Sequence, residues 1–151
     1  MAARRIAWGK WTIAGQPCLA PDDVRVDRSH TSQFLAELSK AIGEFYGDDP
    51  ATSSDYGRIV SDRHFERITG LLEGAGTIVH GGTTDAAERY VSPTVITDVD
   101  PASAIMQEEI FGPLLPVLAY DTLDEAVRFV TDRPKPLALY AFTDDSEEAE
   151  F

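Results

Sequence analysis

A chain of 151 residues is long enough to bury one core and fits a single domain. Its net charge of −13 leaves no basic surface for nucleic acid, and no apolar run reaches the ~20 residues a membrane-crossing helix needs. The single cysteine, Cys18, cannot form an internal disulfide, which fits a reducing compartment and predicts a cytoplasmic protein.

The first predicted element is a helix over residues 2–12, with Ala3, Ala7 and Trp11 on one face and Ile6 beside them. Gly15 and Pro17 stop it. Residues 22–27 alternate weakly through Val24 and Val26, as an edge strand does. Residues 33–46 predict an amphipathic helix with Phe34, Leu38, Ile42 and Phe45 in one stripe, ended by Gly47. After the loop DDPATSSDYG, Ser61 and Asp62 suit a helix start, followed by Phe65, Ile68 and Leu72 along one face. TIVH at 77–80 predicts a short strand, and YVSPTVIT at 90–97 an extended stretch interrupted by Pro93.

LLPVLAY at 114–120 predicts an apolar strand. Thr122 and Glu125 form a capping box opening a helix through Leu123, Ala126, Val127 and Val130, which must stop before Pro134. LALYAF at 137–142 predicts a second apolar strand. Strand, helix and strand at this spacing predict a right-handed βαβ unit. The expected fold class is therefore α/β, a mostly parallel sheet with flanking helices. SEEAEF would open one more helix, with acids favourably near its N-terminus. The first helix starts with no strand before it and the last has barely begun, so both ends read as cut.

Two stretches carry candidate chemistry. In GQPC, Cys18 follows a helix end and a Gly-Gln-Pro turn that would present its thiol at a cleft. A thiol acts as a nucleophile when ionised, which needs a base or positive surroundings; a lone cysteine is otherwise an inert buried residue. His30, His64 and His80 are scattered, with no metal-ligand spacing, and a metal site is not expected. In MQEEIFGP, Glu108 or Glu109 would bind a polar ligand stacked on Phe111, or else the stretch is a solvated helix end with Phe111 in the core. The glycines at 74, 76, 81 and 82 make no dinucleotide fingerprint, because a strand and not a helix follows them. The chain contains no asparagine, hence no sequon and no Asn amide to hold an oxyanion.

Taken in order, AARRIAWGKW, GQPC, APD, EFYGDD, DYGRIVSDRHFERI, VHGGT, PTVITDVDP, MQEEIFGPLLPV and RPKPLALYAFT resemble the aldehyde dehydrogenase superfamily, on the branch of the class 3 and fatty aldehyde dehydrogenases. The resemblance covers essentially the whole chain. It implies part of a catalytic domain, residues 1–151, truncated at both ends and without a complete cofactor-binding domain. It implies NAD(P)-dependent oxidation of an aldehyde to a carboxylic acid through a thiohemiacetal and a thioester on Cys18. Cys18 matches the family's catalytic thiol, Glu109 the acid that binds the nicotinamide-ribose hydroxyls, and Phe111 the aromatic packed near the nicotinamide ring. The cofactor would be NAD or NADP.

Within the match, Ile13 stands where relatives commonly carry Asn, Asp23 where they commonly carry an aromatic, and Pro17 at the variable position of the thiol motif. The family's E-L-G-G general-base motif and its oxyanion amide are not among these residues, so the chain alone is expected to turn over little aldehyde. Two other readings stay open. One is a non-catalytic remnant or interaction module that needs a homo-oligomer or a complementary chain; the other is a cofactor-independent thiol esterase.

Overall fold

In the computed structural model, which describes residues 1–143, helix α1 (Ala2–Trp11) leads into the irregular Thr12–Ala20 stretch, followed by strand β1 (Val24–Asp27) and helix α2 (Thr31–Tyr46). Helix α3 (Asp62–Gly70) comes next, with strands β2 (Thr77–His80), β3 (Thr84–Asp85), β4 (Tyr90–Val91) and β5 (Thr94–Thr97). Strand β6 (Leu114–Tyr120) and helix α4 (Leu123–Thr131) follow.

The main sheet has the order β1-β6-β5-β2. β6 runs parallel to β1, pairing Val24 with Val117, and parallel to β5, pairing Thr94 with Leu114. β2 joins β5 antiparallel, and β3 and β4 make a separate antiparallel ribbon. Leu114 to Val117 are buried in succession, as befits a strand covered on both faces. α1 packs against α2, and α4 lies on β6. Trp11, Leu38, Ile42, Ile68, Ile96, Ile110, Leu114 and Leu115 are in the shared core.

Local chemistry explains most boundaries. The Ser61 hydroxyl accepts from the His64 N–H and starts α3. The Thr122 hydroxyl accepts from the Glu125 N–H, and the Glu125 carboxylate reaches back to the Asp121 N–H, one residue earlier than a capping box requires. Gly47, at φ 77°, ends α2. Pro93 divides the 90–97 stretch into β4 and β5.

The strand expected at 137–142 does not form, and so the βαβ unit does not close. The segment has strand composition, but β1 is paired only through β6 and the segment has not joined it. Leu137 and Leu139 stay 74% and 70% exposed, although the Tyr140 hydroxyl donates to the Leu19 carbonyl. An apolar run becomes a strand only where an edge supplies hydrogen-bond partners and a face supplies burial. The parallel sheet arises instead from β1, β5 and β6. The helix expected within SEEAEF lies outside the described residues.

Candidate active site

α1 ends where the Thr12 hydroxyl and N–H both turn back to the Trp8 carbonyl. Ile13, Ala14 and Gly15 then take left-handed conformations, φ 53°, 52° and 73°. This reversal brings Gly15 against a second backbone: a Cβ on Gly15 would lie 2.2 Å from the Gly112 oxygen. Only glycine meets both demands. The Gln16 side chain fastens the next residue outward, donating to the Ile13 and Arg58 carbonyls (2.9 and 3.1 Å) and accepting from the Val60 N–H at 3.0 Å.

Pro17 to Ala20 form a turn closed by the Ala20 N–H on the Pro17 carbonyl at 3.0 Å. Cys18 is at its tip and is exposed rather than buried. Among the described residues, no partner is hydrogen-bonded to the Cys18 thiol or its N–H. His64 faces Phe111, His30 faces Asp27, and burial lowers the pKa of the half-buried His80; none of them is bonded to Cys18. The described residues contain no His, Cys, Asp or Glu cluster able to hold a metal ion.

The 107–113 stretch is neither helix nor strand. Side chains from elsewhere hold it group by group. Arg67 pairs with the Glu108 carboxylate at 3.0 Å and donates to the Glu109 and Ile110 carbonyls. The His64 Nε2 lies 2.7 Å from the Phe111 carbonyl, and the Trp11 indole donates to the Pro113 carbonyl at 2.9 Å. The Ile110 N–H donates to both Asp22 carboxylate oxygens, at 3.1 and 3.2 Å. Ile110 is the buried anchor, and Gly112 lies so close to Ile68 that a Cβ would fall 2.5 Å from its Cδ1.

The segments flanking the thiol turn thus meet the acidic loop twice: Gly15 packs closely on the Gly112 backbone, and Asp22 accepts the Ile110 N–H. The two candidate acids separate. Glu108 is engaged by Arg67, whereas the exposed Glu109 carboxylate has no hydrogen-bond or ion-pair partner among the described residues. Phe111, at φ 49°, is half-buried with its ring edge-on to His64. That is neither a core position nor a solvated helix end.

Charges buried behind the turn are perturbed. Burial pulls the Lys10 ammonium down to about 8, although Asp22, Asp23 and Glu109 oppose the shift. Burial raises the Asp23 carboxyl, against the pull of Arg25. Arg25 in turn stacks on the Phe129 ring at 3.2 Å.

The sequence named Cys18, Glu109 and Phe111 as candidates but not the residues that hold their loops. Lys10 had a signal: it lies three and four residues after Ala7 and Ile6, on the apolar face of α1. Asp22, His64 and Arg67 act across the fold; they lie in the motifs APD and DYGRIVSDRHFERI, but no local pattern showed what they touch.

The aldehyde dehydrogenase family model matches residues 1–151. The bovine dimeric NADP-preferring aldehyde dehydrogenase is 54% identical over 95% of this chain and 59% of its own length. A substrate-bound structure of Staphylococcus aureus AldH superposes with a TM-score of 0.96 at 49% identity, covering 99% of this chain and 33% of that one. The P. syringae indole-3-acetaldehyde dehydrogenase AldA, solved with NAD+, superposes at 0.76 with 31% identity, over 88% of this chain and 28% of that one. The chain spans between about a quarter and three-fifths of the length of these relatives.

Proposed function

This chain belongs to the aldehyde dehydrogenase family, and on that premise we propose that it is the thiol-bearing portion of a catalytic domain that oxidises an aldehyde to a carboxylic acid with NAD or NADP. The observation that carries the reading is the fastening of two loops. The segments on either side of the exposed Cys18 meet a loop that carries a carboxylate without a hydrogen-bond or ion-pair partner among the described residues and an aromatic ring edge-on to His64.

The residues suit the cofactor. The unengaged Glu109 carboxylate can accept two ribose hydroxyls, and the Phe111 ring offers an apolar face beside it. When bound, NAD(P) supplies the hydride acceptor. The Cys18 sulfur, with its proton lost to solvent, would add to the aldehyde carbon, and the carbonyl oxygen would become an oxyanion. The Cys18 N–H, free of other acceptors, is available to it; one such donor is worth about a hundred- to a thousandfold in rate. With NAD(P) held at Glu109 and Phe111 as the hydride acceptor, Cys18 would carry the acyl group as a thioester until water releases the acid.

The test is a chimera. Residues 1–151 replace the matching segment of the S. aureus relative, and NAD(P)H formation from an aldehyde is followed. Turnover is expected, with loss of at least ~10³-fold on Cys18→Ala and a raised cofactor KM on Glu109→Gln. Full turnover by the Cys18→Ala chimera overturns the reading. The 151 residues alone are expected to form little NAD(P)H.

A second reading, a module that joins a second copy or a complementary chain, is supported by the open edge of β1 and the exposed Leu137 and Leu139. Sedimentation of the chain tests it, and a sharp monomer counts against it. The single thiol fits the cytoplasm as the working compartment.

A further inference from the structure

The Lys10 side chain is wholly buried, and its ammonium has no hydrogen-bond partner among the described residues. A buried ammonium without hydrogen bonds costs several kcal/mol in general, so nearby charges must compensate it. The groups facing it are acids from two directions: Asp22 and Asp23 after the thiol turn, and Glu109 on the loop opposite. Asp22 Oδ1 lies 3.9 Å from the Lys10 Nζ, within ion-pair range. The same carboxylate accepts the Ile110 N–H through both oxygens. The Asp22 carboxylate therefore lies between a buried positive charge and the backbone amide that precedes Phe111.

We infer that Lys10 and Asp22 are positioning residues: the Lys10 charge holds the Asp22 carboxylate inward, and Asp22 holds the Glu109–Phe111 loop against the Cys18 turn. Neither touches the reacting atoms. The arrangement runs from α1 through the segment after Cys18 to the acidic loop, so it reaches both halves of the site. It rests on the reading that Glu109 and Phe111 face the cofactor, and it adds a pH response. Burial lowers the Lys10 pKa to about 8, so its charge is lost within an accessible range. Above that range Asp22 loses its counter-charge, and its hold on Ile110 loosens. A core lysine that merely fills space would leave the Ile110 amide indifferent to pH.

The test follows the Ile110 amide of the 151-residue chain by 15N-resolved NMR from pH 6.5 to 9.5. The wild-type resonance is expected to move with an inflection near the Lys10 value of about 8. Lys10→Met should abolish the inflection while leaving the Leu38 amide of α2 unchanged. Asp22→Asn leaves Lys10 in place; it should also remove the inflection and speed Ile110 hydrogen exchange by at least about tenfold, as loss of a charged acceptor implies. A wild-type Ile110 resonance without an inflection between pH 7 and 9 overturns the inference, whether or not Lys10→Met folds. So does an inflection that survives in Lys10→Met.

The readout uses no aldehyde, cofactor or Cys18 chemistry. An uncoupled Ile110 in a chain whose chimera turns over aldehyde defeats this inference alone. A coupled Ile110 with an inert Cys18 defeats the functional reading alone.

Discussion

The 107–113 loop and the 137–142 segment invert the usual relation between pattern and order. The loop has no helical or strand periodicity, yet the carbonyls of Glu109, Ile110, Phe111 and Pro113 all meet side chains from α1 or α3. Its Ile110 N–H is bound by Asp22. The segment LALYAF has the composition of a buried strand, yet it has no ladder and leaves Leu137 and Leu139 in solvent. Order at a site comes from satisfied backbone groups, and these depend on what the rest of the fold brings near. The candidate chemistry lies in the first region and in the Cys18 turn, and none of it lies in the second.

The largest expected effect breaks the better-tied region. Gly15→Ala would press a methyl group against the Gly112 carbonyl in a left-handed conformation. A loss of about 3 kcal/mol or more in urea unfolding is expected, because neither backbone can yield. A smaller change sharpens the same region. Ile13 is β-branched at φ 53°, a conformation that costs such residues roughly 1–2 kcal/mol. Ile13→Asn is expected to stabilise the chain by about 1 kcal/mol, read as a higher denaturation midpoint, since Asn tolerates that region. The smallest effect belongs to the loose region. Leu139→Ser should shift stability by no more than about 0.5 kcal/mol, because the side chain is mostly in water. A loss above about 2 kcal/mol would mean that the segment pairs with the sheet in solution.

Much of the frame was legible in the sequence, for local reasons. The Ser61 and Thr122 caps, the Gly47 stop, the α2 stripe and the apolar run of β6 all follow from neighbouring residues. The α/β class followed from them, although the βαβ unit used to argue it did not close. Val24 and Val26 indicated an edge strand, and β1 is one. Cys18, Glu109 and Phe111 came from motif resemblance, not from periodicity. The contact of Gly15 with Gly112, and of Asp22 with Ile110, joins residues some ninety positions apart, and no local pattern encodes it. Lys10 falls within the expected 2–12 helix, where a lysine on an apolar stripe signals a buried charge. LALYAF misled because strand composition describes a capacity for pairing and not the presence of a partner.

The central claim is that Cys18 carries the acyl group. The most direct measurement is the mass of the Cys18 peptide from the chimera, quenched during turnover with aldehyde and NAD(P). The account predicts an added acyl mass on Cys18 that disappears when cofactor is withheld and decays as acid is released. NAD(P)H formation with Cys18 unmodified throughout, and unchanged in the Cys18→Ala chimera, would contradict it.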